Sequence, residues 1–119
     1  MVLTRANFNL ADLTGAYLRD ADLRKANLSL ANLRQSNLRG CELSGANLKS
    51  ADLTLANLIG ASLFEVDLSM ANISAADLTG ADLRGALLCE TILDGTDLTA
   101  TAIGYTKFVD VDLSTAKGI

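Results

Sequence analysis

An apolar residue recurs at every fifth position of this chain, without an insertion or a gap. From Leu3 to Leu113, each of these positions, called centres below, is Leu, Phe or Ile. The residue two before a centre is small, usually Ala, and the residue directly before it is usually Asp or Asn, as in ADLTGADLRG at residues 76–85. A repeat of this regularity constrains the architecture more than any other property of the sequence.

Neither a straight helix nor a straight strand accommodates a period of five. In an α-helix, successive centres point about 140° apart, so that no apolar face forms. In a strand, the small residue and the centre share one face. Because five is odd, however, that face inverts at each repeat of a straight strand. The backbone must therefore turn once per repeat to keep both residues inside.

Glycine and the Asp/Asn positions both support a turn in every repeat. A β-turn with positive φ at the site two after the centre favours Gly there. Asp and Asn side chains bond readily to the backbone of such turns. The sequence therefore predicts a solenoid with short sides and a turn at each corner. Seven of the nine glycines occupy that site: Gly15, Gly40, Gly45, Gly60, Gly80, Gly85 and Gly95.

The pentapeptides ADLTG, ANLRQ, ADLRG and ANLKS resemble the pentapeptide-repeat family over essentially the whole chain. The resemblance implies an all-β fold, a right-handed quadrilateral β-helix with four pentapeptides in each coil. About six coils then form a rod roughly 29 Å long at the usual strand spacing. We expect residues 1–119 to form a single pentapeptide-repeat domain, with residues i and i+20 stacked in columns.

One corner column contains no glycine. This column holds the residues two after a centre on one side of the coil. We predict that positive φ is rare at this corner, because glycine is the residue that adopts positive φ at least cost. The column consists of Leu10, Leu30, Ser50, Met70, Glu90 and Asp110.

Candidate catalytic and ligand-binding groups are few. The chain has no His, the commonest general base and metal ligand. Stacking predicts two carboxylate pairs, Asp77 with Asp97 and Asp22 with Glu42, which are interpreted either as acid/base or cation sites or, preferably, as solvated repeat positions. We expect no enzyme activity, cofactor, metal or small-molecule substrate. Cys41 is predicted to point inward and Cys89 outward, without a disulfide between them.

Apolar residues at outward positions are the candidate interface. Leu87, Cys89 and Val109 should cluster on one face, with Ile92 just round its corner. A second set comprises Ile59 and Phe64, placed near one corner with Leu55, and Arg84 is expected over the Phe64 ring. Two interpretations remain open. The residues form an interface, as an exposed apolar cluster often does, or they reflect drift in a tolerant repeat, since single exposed apolar residues need no explanation.

The function predicted from these features is that of a noncatalytic structural or protein–protein interaction module, with another protein or itself as the partner, end to end or laterally. Net charge is −4, with seven Lys/Arg and five Asp/Glu in residues 1–60 and three and nine in residues 61–119. A modest basic patch is predicted from Arg19, Arg39 and their neighbours, but nucleic-acid binding is not expected without aromatic residues interleaved.

The resemblance supplies an alternative function. The quinolone-resistance branch of the family mimics a DNA duplex and binds DNA gyrase, and the acidic C-terminal half suits such a role. The sequence lacks the interrupting loops and dimer module of that branch. No apolar run long enough for a transmembrane helix and no secretory signal are present, so the expected location is cytoplasmic, without membrane attachment. The family is abundant in cyanobacteria.

Overall fold

A computed structural model describes all 119 residues as a right-handed, four-sided β-helix with extents of 34 × 22 × 22 Å. Parallel single-residue bridges join each face to the same face of the next coil, always twenty residues on, from Val2↔Asp22 to Asp97↔Lys117. At one place the bridge lengthens into two short parallel strands, β1 at Leu87–Cys89 and β2 at Lys107–Val109. The predicted coil of four pentapeptides is confirmed.

Each face is bonded to the coil that follows it by main-chain hydrogen bonds. On the face around Leu53, for example, its N–H donates to the Asn72 carbonyl over 2.7 Å, and the Asn72 N–H donates to the Ala51 carbonyl over 2.9 Å. Repetition of this pattern satisfies the polar backbone groups of faces that are only three residues wide.

The core is a thin column of Leu and Ala side chains. Centres from Leu23 to Leu98 are no more than 2% exposed, and the small residues between them are equally buried. Leu3, Phe8 and Leu113, with a neighbouring coil on one side only, are half-buried. Ile103, a centre of the last coil, is 39% exposed. The inside of the coil therefore matches the sequence pattern of centre and small residue wherever a coil lies on both sides.

The prediction that positive φ is rare at the glycine-free corner is wrong. Leu10 has φ of 64° and Leu30 of 59°, and every fifth residue from Arg5 to Asp110 has positive φ. A typical corner is a β-turn closed by a hydrogen bond from the residue after the turn to the centre carbonyl, as from Ala11 N to Phe8 O over 3.0 Å. The stacked hydrogen bonds of the coils impose positive φ on the same residue of each corner from Arg5 to Asp110, and this outweighs the preference for glycine.

A different sequence signal marks these turn residues. None of the positive-φ positions from Arg5 to Asp110 is Val, Ile or Thr, although Thr is common one position earlier, as at Thr79. β-Branched side chains are the least compatible with left-handed backbone. From Arg5 to Asp110, the absence of β-branched residues is a more general property of the turn residue than the presence of glycine.

The predicted contribution of Asp and Asn to the turns is confirmed. At Asn37, for example, Oδ1 accepts a hydrogen bond from the Arg39 N–H over 3.1 Å, and the same bond forms wherever Asp or Asn precedes a centre. It satisfies an N–H at the start of the turn that faces away from the neighbouring coils. The residues that accept it are Asn7, Asp12, Asp22, Asn27, Asn32, Asn37, Asn47, Asp52, Asn57, Asp67, Asn72, Asp77, Asp82, Asp97 and Asp112.

Four threonines replace alanine at the small site on the four successive sides of one coil. Each hydroxyl donates to the centre carbonyl of the preceding coil, as from Thr96 Oγ1 to Ile73 O over 2.7 Å. That carbonyl also accepts the hydrogen bond that closes its own turn, so that the threonine adds a second bond to it. The ring thus ties one coil to the next through side chains, and it consists of Thr91, Thr96, Thr101 and Thr106.

Two substitutions at the small site should have opposite effects on stability. Ser36 is buried and its Oγ has no hydrogen-bond partner, whereas the equally buried Thr96 hydroxyl is bonded. We expect Ser36→Ala to raise, and Thr96→Val to lower, the free energy of unfolding in urea by about 1 kcal/mol each. A loss of stability in Ser36→Ala similar to that in Thr96→Val would show that the Ser36 hydroxyl is satisfied.

Candidate protein-interaction surface

At one corner of the rod, apolar residues replace the usual Asp or Asn on both adjoining faces, with Leu87 on one face and Ile92 on the other. Both positions carry Asp or Asn in most other repeats. Cys89 lies between them at the corner, and the register of β1 and β2 sets Val109 beside Cys89 on the next coil. The four residues predicted to cluster are therefore brought together around one corner and over two coils.

Met70 extends this apolar surface to a third coil. Its N–H donates to the Cys89 carbonyl over 2.8 Å, which places the two corners one above the other. Met70 is 55% exposed, Ile92 44% and Val109 43%, whereas Leu87 and Cys89 are half-buried. We call these five residues the corner patch. Met70 was missed in the sequence because it belongs to the glycine-free column, which was considered only for its turn geometry.

The backbone of the corner patch also differs from that of other corners. The hydrogen bond that closes a typical turn is absent between Thr91 N and Leu88 O, and again between Val111 N and Phe108 O on the next coil. The extended backbone instead continues for one more residue on each coil, and this produces β1 and β2. The patch thus combines apolar outward residues with two stacked open turns.

Carboxylates surround the exposed Ile92 side chain. An open groove of about 330 Å³ is lined by Ile92 together with Glu90, Asp94, Asp110 and Asp112. None of the four carboxylates belongs to the ion pairs of the structure, which lie elsewhere on the rod. Hydrogen bonds from the side chain and backbone of Ser114 hold the pKa of Asp112 below its usual value.

The second predicted set is not assembled in the same way. Leu55, Ile59 and Phe64 lie on three successive turns of the coil, and therefore at three different corners. The predicted cation–π contact does form, with the Arg84 guanidinium carbon 5.8 Å from the Phe64 ring centroid. Phe64 also lines an open groove of about 540 Å³ with Arg84 and with Tyr105, an exposed aromatic residue that the sequence analysis passed over.

The two predicted carboxylate pairs stack as expected, and their members have local structural partners. Asp77 and Asp97 are bridged in register, and each accepts hydrogen bonds from the backbone and hydroxyl of the threonine two residues on. Asp22, which is bridged to Glu42, forms a two-pronged ion pair with Arg24, and this bond lowers the pKa of Asp22. These contacts support the interpretation of both pairs as repeat positions.

The two cysteines are free and differ in environment. Cys41 is fully buried, and burial raises the pKa of its thiol to about 12, whereas Cys89 is half-buried within the corner patch. The reactive species is the thiolate, so an inaccessible thiol that stays protonated is protected from alkylation.

Alkylation with a maleimide should therefore modify Cys89 of the folded protein and leave Cys41 intact. We expect one adduct by intact-mass measurement under native conditions and two after denaturation. In the Cys89→Ser variant no adduct should form before unfolding. Rapid modification of Cys41 in that folded variant would contradict the burial described.

Comparison with known proteins identifies the family. The family model described as "Pentapeptide repeats (8 copies)" matches residues 2–40, 41–80 and 76–114. The chain belongs to the pentapeptide-repeat family. The resemblance noted in the sequence is therefore confirmed, and with it the fold that it implied. No curated protein sequence matches this pentapeptide-repeat protein. Its structure contains no helix long and apolar enough to cross a membrane.

Solved structures of other pentapeptide-repeat proteins are similar to it. HetL from the cyanobacterium Nostoc sp. strain PCC 7120, a protein involved in heterocyst differentiation regulation, is 29% identical with a TM-score of 0.82; the match covers 99% of this chain and 65% of HetL. A pentapeptide-repeat protein of the Arabidopsis thaliana thylakoid lumen is 34% identical with a TM-score of 0.65; the match covers 76% of this chain and 66% of that one.

A third match shows the fold alone. The plasmid-mediated fluoroquinolone resistance protein QnrB1 is 16% identical with a TM-score of 0.50, over 93% of this chain and 76% of QnrB1. The present chain thus spans about two thirds of the length of HetL and of the thylakoid-lumen protein.

Proposed function

We propose that this pentapeptide-repeat protein is a noncatalytic module that binds another protein through the corner patch. The observation that carries the proposal is the replacement of two successive Asp/Asn positions by Leu87 and Ile92, at a corner where Cys89 and Val109 are also outward. The core beneath is unaffected, because Leu88 and Leu93 are fully buried centres. Leu87 and Ile92 therefore change the outer surface of the rod, while its core packing is the same as in the other repeats.

The apolar residues contribute little to the isolated fold. Leu87 and Ile92 lack the side-chain acceptor that Asp or Asn supplies to the turn, and Ile92 remains 44% exposed to water. Covering an exposed aliphatic side chain with a partner yields about 25 cal/mol for each Å² removed from water. A cluster of such residues at one place is typical of a binding surface, and a central apolar anchor usually dominates the affinity.

The proposal is tested by restoring the consensus of the repeat. The double variant Leu87→Asn, Ile92→Asn should keep the circular dichroism spectrum and the thermal stability of the wild type, because asparagine is native to this site in other repeats. It should lose a protein that the wild type captures from its native lysate. Capture of the same protein by both would contradict the proposal.

A matched control makes the same kind of change away from the patch. Tyr17 is a large outward residue at an Asp/Asn position of the first coil, and Leu55 is an exposed apolar residue at another corner. The double variant Tyr17→Asn, Leu55→Asn should therefore bind the partner as the wild type does. Loss of capture in this control as well would attribute the effect to general surface hydrophobicity.

The cytoplasmic location is part of this proposal. One structural relative comes from a thylakoid lumen, so cell fractionation with an antibody against the chain is the direct check. The alternative function, DNA mimicry with binding to gyrase, has only the acidic C-terminal half in its favour, since the likeness to QnrB1 is one of fold. We expect no inhibition or protection of gyrase in a supercoiling assay at micromolar protein.

A further inference from the structure

We infer that the segment docking on the corner patch is basic and amphipathic, with apolar side chains flanked by Lys or Arg. This inference rests on the proposed function and names the chemistry of its partner. It follows from the groove that Ile92 shares with four carboxylates, together with the exposed Met70 and Val109 on neighbouring coils.

The charges around the corner patch have one predominant sign. Glu90 and Asp110 occupy the corner itself on successive coils. Asp94 follows Ile92 on the same coil, and Asp112 takes the position equivalent to Ile92 on the next coil. The cation that lies closest in the register is Lys107, which pairs with Leu87 between β1 and β2. The four carboxylates therefore produce a negative potential over an apolar surface, and they have no ion pairs of their own to offset it.

Such a surface selects its partner by charge as well as by burial. Lys and Arg on the partner gain from the carboxylates and place their aliphatic stems along the apolar side chains. An acidic segment would bring like charges together on desolvation, which opposes its binding. Anionic membrane surfaces are disfavoured for the same reason. The favoured occupant is thus a cationic polypeptide with apolar anchors.

The size of the patch limits the segment that fits it. Met70, Glu90 and Asp110 are consecutive members of one corner column, so the apolar residues around them span two coil intervals, roughly 10 Å at the usual strand spacing. Two apolar anchors about this far apart, with basic residues between and beside them, match the surface. A short linear segment is therefore long enough to cover the corner patch.

The test uses synthetic peptides with the intact protein. The probe is a fluorescent amphipathic peptide of Leu and Lys; one control replaces each Lys by Glu, and another replaces each Leu by Ser. We expect the Leu/Lys peptide to bind, at least tenfold more tightly than either control, with weaker binding as salt is raised. Bound peptide should also slow alkylation of Cys89, a native thiol within the patch.

A charge-neutral variant of the protein isolates the carboxylates. The changes Glu90→Gln, Asp94→Asn, Asp110→Asn and Asp112→Asn preserve side-chain size, and asparagine at 112 retains the acceptor that bonds to the Ser114 N–H. This variant should bind the Leu/Lys peptide at least tenfold more weakly while its thermal stability is retained. Equal binding by the neutral variant, or by the Leu/Glu peptide, would overturn the inference.

The outcomes separate this inference from the function on which it rests. If the double variant Leu87→Asn, Ile92→Asn loses partner capture but the peptides show no charge preference, the proposed binding function stands and the inference of a basic segment is wrong. If that variant captures its partner normally, the function itself fails. A dimer of the wild type that disappears in Leu87→Asn, Ile92→Asn would identify a second copy as the occupant and would overturn the basic segment.

Discussion

Replacing Leu53 by Ala should lower the free energy of unfolding by about 3 kcal/mol, within the range of roughly 2–5 kcal/mol seen for buried Leu. Leu53 is fully buried in the middle of the rod, with a coil on either side. Its neighbours in the core are Leu and Ala on a backbone held by hydrogen bonds to adjacent coils, so the cavity cannot close easily. Urea denaturation followed by circular dichroism measures the loss.

Leu55 offers a control of the same residue type, two positions away in the same repeat. It is 53% exposed at a corner, and Leu55→Ala should change the free energy of unfolding by no more than about 0.5 kcal/mol. The two variants thus remove the same side chain from a buried and an exposed position of the same repeat. Equal losses at both positions would contradict the assignment of the centre as inward and the turn residue as outward.

Replacing Gly80 by Val should be the next most damaging change, at about 2 kcal/mol. Gly80 has φ of 68°, and a Cβ added there meets no atom within 4 Å. The cost therefore comes from the backbone alone, because a β-branched residue is strongly disfavoured in the left-handed region. A thermal or urea unfolding curve measures it directly.

Asparagine at the same position separates backbone strain from loss of glycine. Asn tolerates left-handed backbone, so Gly80→Asn should cost less than about 1 kcal/mol. We attribute the absence of Val, Ile and Thr from the turn residue to the strain of β-branched side chains in left-handed backbone. A Gly80→Val variant as stable as Gly80→Asn would contradict this. Gly40→Ala is a poorer test, since the added Cβ would collide with Asp20 Oδ1 as well.

Much of the fold follows from the period of five. Because Ala and Leu must both face inward and an odd period inverts a strand, a corner in every repeat is required by the pattern. Asp and Asn were expected to support the turns, and their side chains do accept the turn N–H, as at Asn37. The error concerned Leu10 and Leu30, where the absence of glycine was interpreted as the absence of positive φ.

The candidate surface was predictable in part. Leu87, Cys89, Ile92 and Val109 stand out because they break the repeat at outward positions, and a spacing of twenty residues places Val109 beside Cys89. Met70 and the carboxylates around Ile92 do not break any pattern, since Asp112 is at a usual Asp/Asn position and the corner residues vary in type apart from the absence of β-branched ones. Their proximity to the patch depends on which columns lie side by side around one corner.

The sequence by itself therefore determined the repeat, the inward residues and a turn in every five residues, because a period of five keeps both apolar residues inside only if the backbone turns. The coil of four pentapeptides was implied by the resemblance to the family. Only the tertiary structure decided that the corners from Arg5 to Asp110 share a positive φ, since the stacked hydrogen bonds act on each of them. It also decided how exposed Met70 and Ile92 are and that four carboxylates line one groove with Ile92, because stacking every twenty residues gives the neighbours of a position but not the exposure of its side chain.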